Sequence, residues 1–252
     1  MPSPGSRLCV GVAGVGRMGL RHVDALLRQR NVDLCAVADP SDDALGRALG
    51  LARAANASEA TSGFRDAEQM LDAGGLDCVI IATPPEMHAS HCLMALELRV
   101  PTLVEKPLAM TIMDGRRLVA EAERTGVLLQ VGHIERFNPV VGALRDCIRD
   151  GLVGAPISIE IWRHGPAPER PCDEGVALDL AIHDLDLVRH VLDDEPVLVE
   201  ARPSGQASIV ERLDAQIELQ SGGRASLSVG WDTAARERRI VVVGESGTIE
   251  AD

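Results

Sequence analysis

Of the 25 lysine and arginine residues in this chain of 252, a single one, Lys106, is a lysine. Arginine stays protonated at any working pH, whereas a lysine ammonium is a compact charge whose pKa falls readily on burial, so only the amine serves in proton chemistry. On the count alone Lys106 is as readily a leftover of an arginine-rich composition, and its neighbours have to decide. It lies in Val104-Glu105-Lys106-Pro107 at the end of an apolar run. Proline fixes its own φ and restricts the residue before it, which predicts a rigid position for the amine. A second set is Asp179-Leu180-Ala181-Ile182-His183-Asp184-Leu185-Asp186. Asp179 and His183, four apart, share a face of a predicted helix, and a histidine can take a proton near neutral pH. Asp186 falls on the same stripe, while Asp184 points elsewhere as a packing or capping charge. In isolation an Asp and His at this spacing are most often an ordinary surface pair. The spacing suggests no third soft ligand, so no metal site is expected.

A third set identifies what such a lysine and histidine would serve. Gly14-Val15-Gly16-Arg17-Met18-Gly19 follows the apolar run Leu8 to Ala13 and opens an amphipathic stretch, the context in which G-x-G-x-x-G binds a dinucleotide. Its pyrophosphate would sit on a helix N-terminus, where free N–H groups and the dipole favour an anion. Twenty residues beyond Gly19, Asp39 ends a second apolar run and can accept ribose hydroxyls. A carboxylate there repels a 2′-phosphate, so NAD is expected over NADP. Ala82-Thr83-Pro84-Pro85-Glu86-Met87-His88 follows a third run, where the loop would lie over the cofactor. His88 would approach the cofactor ribose or nicotinamide, or else stand in solvent in the first turn of a helix.

These residues need elements to hold them. To about residue 125, runs at 8–13, 32–38, 78–83, 101–104 and 127–131 alternate with stretches of helical length at 17–29, 43–54, 66–73, 85–98 and 111–125, which predicts βαβ units and a parallel sheet. Beyond 155 strand-like runs follow one another, at 155–163, 196–202, 208–220, 224–231, 238–244 and 247–251, broken by one helix near 175–192. The expectation is an α/β protein of two domains: a doubly wound dinucleotide-binding domain over 1–125 and an α+β domain with an open, mainly antiparallel sheet over 126–252. The crevice between them is the expected ligand site, lined by the proline-rich loop Gly165 to Cys172 unless that loop is a plain surface excursion.

Composition removes other functions. A formal charge of −13 gives no basic footprint for nucleic acid or an anionic membrane, and two Trp, two Phe and no Tyr leave no platform for stacking bases. Six cysteines without C-x-x-C spacing, among them Cys9, Cys35 and Cys78 in apolar runs, read as reduced small hydrophobes and a cytoplasmic location. No signal peptide or membrane-spanning run is visible.

Gly14, Gly16, Gly19, Asp39, Thr83-Pro84-Pro85 to His88, Glu105-Lys106-Pro107 and Asp179 to His183-Asp184 stand in the order found in the Gfo/Idh/MocA oxidoreductases, and over nearly the whole chain this sequence resembles that family. The resemblance implies a Rossmann domain, a sheet domain, and NAD-linked oxidation of a sugar or cyclitol hydroxyl. It implies cofactor contacts from Gly14, Gly16, Arg17, Met18, Gly19, Asp39, Thr83, Pro84, His88 and Glu105, the last with a structural role as the alternative. It implies a catalytic group of Lys106, Asp179 and His183, with His183 as base, Lys106 on the same oxygen, and Asp179 orienting His183 or binding a neighbouring hydroxyl. Val131 to Pro139 and Arg163 through Arg170 to Asp173 resemble the branch that oxidises nucleotide-sugars such as UDP-N-acetylglucosamine at C3. Substrate contacts are then expected from Lys106, Arg136, Asn138, Arg163, Asp179 and His183, with Arg136, Arg163 and Arg170 offering forks to a diphosphate or standing as ordinary surface arginines. An inositol or simple-sugar dehydrogenase and a non-catalytic NAD-binding regulator are the alternatives. Family analogy implies a homodimer or homotetramer through the second sheet. Family members continue through further strands, so the second domain is expected to be incomplete at its C-terminus.

Overall fold

The computed structural model describes residues 7–55, 61–168, 175–205 and 209–252. The chain forms two compact units, Met1–Gly132 and His133–Asp252.

The first unit holds β1 (Leu8–Ala13), α1 (Arg17–Leu27), β2 (Val32–Ala38), α2 (Asp42–Ala54), β3 (Ser62–Phe64), α3 (Ala67–Asp72), β4 (Cys78–Ile81), α4 (Pro85–Glu97), β5 (Thr102–Val104), α5 (Ile112–Thr125) and β6 (Leu129–Val131). Its six strands are parallel in the order β3-β2-β1-β4-β5-β6. Strands covered on both faces read as apolar runs, and Val12, Val37, Val79, Ile81 and Val104 are fully buried. One core cluster gathers Val23 of α1 with Ala44, Ala48 and Ala52 of α2; another gathers Met70 of α3 with Cys92 and Leu96 of α4 and Leu118 of α5. Each Val, Leu or Ile so buried contributes roughly 1.5–3 kcal/mol. Ser41, Asp66 and Thr111 cap α2, α3 and α5 with their side chains. Strand β3 has no counterpart in the expected pattern, because Ser-Gly-Phe is too short and polar to register as a run. Cys9 and Cys35, expected as reduced hydrophobes, form a disulfide across neighbouring β1 and β2 at a Cα–Cα distance of 5.5 Å; apolar runs hide their pairing because register sets it.

The second unit holds a 3₁₀ turn (Ile134–Phe137), α6 (Pro139–Arg149), β7 (Pro156–His164), a π turn (Ala177–Ala181), α7 (Ile182–Leu192), β8 (Pro196–Ser204), β9 (Arg212–Leu219), β10 (Arg224–Gly230), β11 (Glu237–Gly244) and β12 (Gly247–Ala251). The sheet order is β12-β11-β7-β10-β9-β8, antiparallel except where β10 meets β7. Val141 and Leu144 of α6 and Leu187, Val188 and Val191 of α7 pack on Ile159, Ile161, Ile217, Leu227 and Val242 of the sheet. The expected helix near 175–192 is a π turn followed by an α-helix, and α6 is additional. Among the described residues no helix is long and apolar enough to cross a membrane.

Candidate functional site

In the first unit the glycine loop joins β1 to α1. Gly14 has φ +80°, and a Cβ there would lie 2.5 Å from the Ala82 carbonyl oxygen; a Cβ on Gly19 would lie 1.8 Å from the Gly14 oxygen. Both positions are closed to any side chain. Gly16 is different, since a Cβ on it meets nothing within 4 Å and no side chain caps α1. Space and open N–H groups therefore coincide at this helix N-terminus, which suits a pyrophosphate. Arg17 stands exposed beside it and Met18 half-buried. Asp39 accepts from Val15 N through Oδ2 and from Ser41 N through Oδ1, both at 2.9 Å. It thus braces the loop, and each carboxylate oxygen keeps the capacity to accept a further hydrogen bond.

The end of β4 approaches this loop, and the Lys106 turn follows β5, the strand beside β4. Lys106 is half-buried, and the Lys106–Pro107 peptide is cis. Glu105 is held by His22 of α1, with Nε2 to Oε1 at 2.6 Å. Burial alone would raise the Glu105 carboxyl, but the His22 bond and the adjoining Lys106 outweigh it and hold the pKa below the usual value. Glu105 is therefore braced inside the unit through its Oε1. His88 is 1% exposed, and its two ring nitrogens lie 2.7 Å from the Pro107 carbonyl oxygen and 2.9 Å from that of Thr83. The expected ribose or nicotinamide contact is not what the structure shows, since both ring nitrogens face the protein interior. Thr83 Oγ1 lies 3.1 Å from His91 Nδ1, and burial lowers the His91 pKa. Pro84, at the N-cap of α4, is exposed.

In the second unit Asp179 lies in the π turn and His183 in the first turn of α7, both half-buried. Single π turns recur at functional sites because they re-aim the side chains of one helical turn. Asp184 is fully buried; its Oδ1 accepts from Arg163 Nε at 2.7 Å, and Arg163 Nη1 reaches Glu135 Oε1 at 3.0 Å. Burial pushes the Asp184 carboxyl up to about 6 against the pull of Arg163. Asp186, 5% exposed, takes a two-pronged bond from Arg136 at 2.7 and 2.5 Å.

The guanidiniums of Arg136 and Arg163, expected as forks for a diphosphate, are thus engaged by carboxylates of their own unit. Asn138, expected on substrate, is exposed and caps α6 by accepting from Val140 N at 3.1 Å. Arg170, Cys172 and Asp173 lie outside the described residues. Asp184 is the packing charge expected of it, whereas Asp186 pairs with Arg136. Sequence reasoning missed His22, His91 and Glu135 as participants. Only His22 carried a signal, a polar residue on α1 one position before buried Val23. Among the described residues no group of acidic, histidine or cysteine side chains is arranged to hold a metal.

Residues 8–133 match the family model described as "Oxidoreductase family, NAD-binding Rossmann fold", and residues 141–250 match the Gfo/Idh/MocA C-terminal domain. The chain is similar to inositol 2-dehydrogenase 3 of Saccharopolyspora erythraea, 32% identical over 95% of this chain and 72% of that protein. It is similar to the rhizopine catabolism protein MocA of Rhizobium meliloti, 33% identical over 76% of this chain and 59% of that protein. The fold is similar to the crystal structure of a putative myo-inositol dehydrogenase from Sinorhizobium meliloti, with TM-score 0.86 and 27% identity over 97% of this chain and 76% of the other.

Proposed function

Because the chain belongs to the Gfo/Idh/MocA oxidoreductase family, whose first domain is an NAD-binding Rossmann fold, we propose that it oxidises a ring hydroxyl of a cyclitol such as inositol, or reduces the matching ketone. The coarser reading, an NAD-dependent oxidoreductase of a sugar or polyol, follows from the family. The cyclitol is the finer step. Relatives named as inositol dehydrogenases support it. The observation that carries it against a nucleotide-sugar is the engagement of Arg136 by Asp186 and of Arg163 by Asp184 and Glu135. A diphosphate would have to strip these guanidiniums from buried carboxylates, at the expense of an unpaired buried charge.

NAD bound at the glycine loop supplies the hydride acceptor. The proposed work of the chain is positioning and proton handling. Lys106 donates a hydrogen bond to the reacting oxygen and stabilises the negative charge that develops on it. His183 takes the hydroxyl proton, and Asp179 orients its ring or binds a neighbouring hydroxyl. Asp39 binds the adenosine ribose, and the open N-terminus of α1 binds the pyrophosphate. Self-association through the second sheet is also proposed, on the exposed Val197, Leu198 and Val199 of edge strand β8. Formation of NADH on adding a cyclitol to protein and NAD⁺ tests the central reading.

A further inference from the structure

His88 sits in the first turn of α4 with its ring buried and each nitrogen against a carbonyl oxygen, of Pro107 on one side and Thr83 on the other. A carbonyl oxygen accepts and cannot donate, so the ring N–H is given to one of these carbonyls, which one being set by the tautomer, while the other nitrogen packs against the second. The two carbonyls belong to turns that carry the site. Thr83 follows β4 by two positions and lies against the glycine loop, its amide nitrogen 2.6 Å from where a Gly14 Cβ would lie. Pro107 directly follows Lys106. On the other side of Lys106, Glu105 N donates to the Ile81 carbonyl at 2.9 Å and the Glu105 carboxylate meets His22. The lysine is therefore flanked by two residues, each tied down by a histidine from a different helix.

From these contacts we infer that His88 is a positioning residue for Lys106, a rigid link that holds the Lys106–Pro107 turn to the end of β4 and so sets where the ammonium is presented. The inference rests on the proposed role of Lys106 for its consequence in turnover, though not for the link itself. A side chain with no hydrogen-bond donor in place of His88 would take away the ring that ties the Pro107 carbonyl to that of part-buried Thr83 and free the turn to move.

The single lysine makes the test direct. Protein labelled with ¹³C and ¹⁵N in lysine alone gives one side-chain signal, that of Lys106, readable without substrate. His88→Leu removes the ring N–H, and His88→Gln keeps an amide nitrogen with two hydrogens. In folded His88→Leu the Lys106 signal is expected to move, kcat to fall roughly 10²-fold as for a catalytic group misplaced by about an ångström, and NAD affinity to change by less than about 3-fold. His88→Gln is expected to restore part of both the signal and kcat. A Lys106 signal at its wild-type position in folded His88→Leu overturns the inference, as does an unchanged kcat. Should His88→Leu not fold, His88→Asn, too short to reach both carbonyls, takes its place with the same readouts. If the wild-type protein oxidises no cyclitol or sugar, the proposed function fails, and the Lys106 signal alone decides the link.

Discussion

His22 Nε2 and Glu105 Oε1 meet at 2.6 Å across 83 positions of sequence, so the helix that opens at the glycine loop also grips the residue before the lone lysine. The Glu105 pKa lies below its usual value, burial notwithstanding. Stability from such a group is present above the unfolded-state pKa and is lost as pH falls through the folded one. His22→Leu leaves a half-buried carboxylate without this partner and should cost about 1–3 kcal/mol at neutral pH by urea unfolding. The loss should shrink at acid pH, where Glu105 is protonated in both proteins. Equal losses at both would contradict this account of the pair.

The glycine loop separates a folding requirement from a binding one. Gly19→Ala puts a Cβ against the Gly14 oxygen and should destabilise the protein by at least about 1–3 kcal/mol. Gly16→Ala meets open space, so its melting temperature should stay within about a degree or two. Its NAD affinity should nonetheless fall about tenfold, equivalent to about 1.4 kcal/mol, because backbone approach to the pyrophosphate is blocked. Calorimetric titration measures it, and unchanged affinity in Gly16→Ala would move the phosphate site elsewhere.

Arg163 joins two carboxylates in the second unit while itself only 6% exposed. Removing one member of a buried pair costs about 3–5 kcal/mol, since the other charge stays buried without its partner. Arg163→Met should therefore destabilise by that order, and adding Asp184→Leu should recover much of the loss. Additive losses in the double variant would show that the two residues do not act as a pair.

Asp184 predicts a pH dependence of opposite sign to Glu105. Its pKa is raised from 3.8 to about 6, chiefly by burial. Stability from a raised acid is fully present below the unfolded-state pKa and is lost as pH rises through the folded one. Asp184→Asn should therefore gain on the wild type between about pH 4 and pH 7, by up to about 3 kcal/mol. Paired urea titrations at the two pH values measure the change; a variant that loses ground as pH rises would refute the assignment.

Most of this architecture is legible in the sequence because parallel strands buried on both faces read as uninterrupted apolar runs, as Leu8–Ala13 and Val32–Ala38 do. Helix α6 carried signals that went unread: Asn138 as cap, Pro139 in the first turn, and Val141, Leu144 and Ile148 at helical spacing. The π turn at Ala177–Ala181 leaves no mark, since five residues cannot distinguish its period from that of an α-helix. The site divides in the same way. Gly14, Gly19 and Asp39 were found because local turn chemistry demands them. The partners of Arg136, Arg163 and Glu105 lie 50, 21 and 83 positions away, and only the topology brings them together.

The central claim is NAD-linked oxidation of a cyclitol with Lys106 at the reacting oxygen. The direct test follows absorbance of NADH after mixing the protein with NAD⁺ and, in parallel, myo-inositol, simple hexoses and UDP-N-acetylglucosamine. Lys106→Ala and His183→Ala are run beside the wild type, and NAD binding is measured in all three. The predicted result is NADH from the cyclitol with the wild type, a loss of roughly 10²-fold or more in each variant, and NAD affinity nearly unchanged. NADH from UDP-N-acetylglucosamine alone, or NAD binding without reduction by any of these substrates, would contradict it.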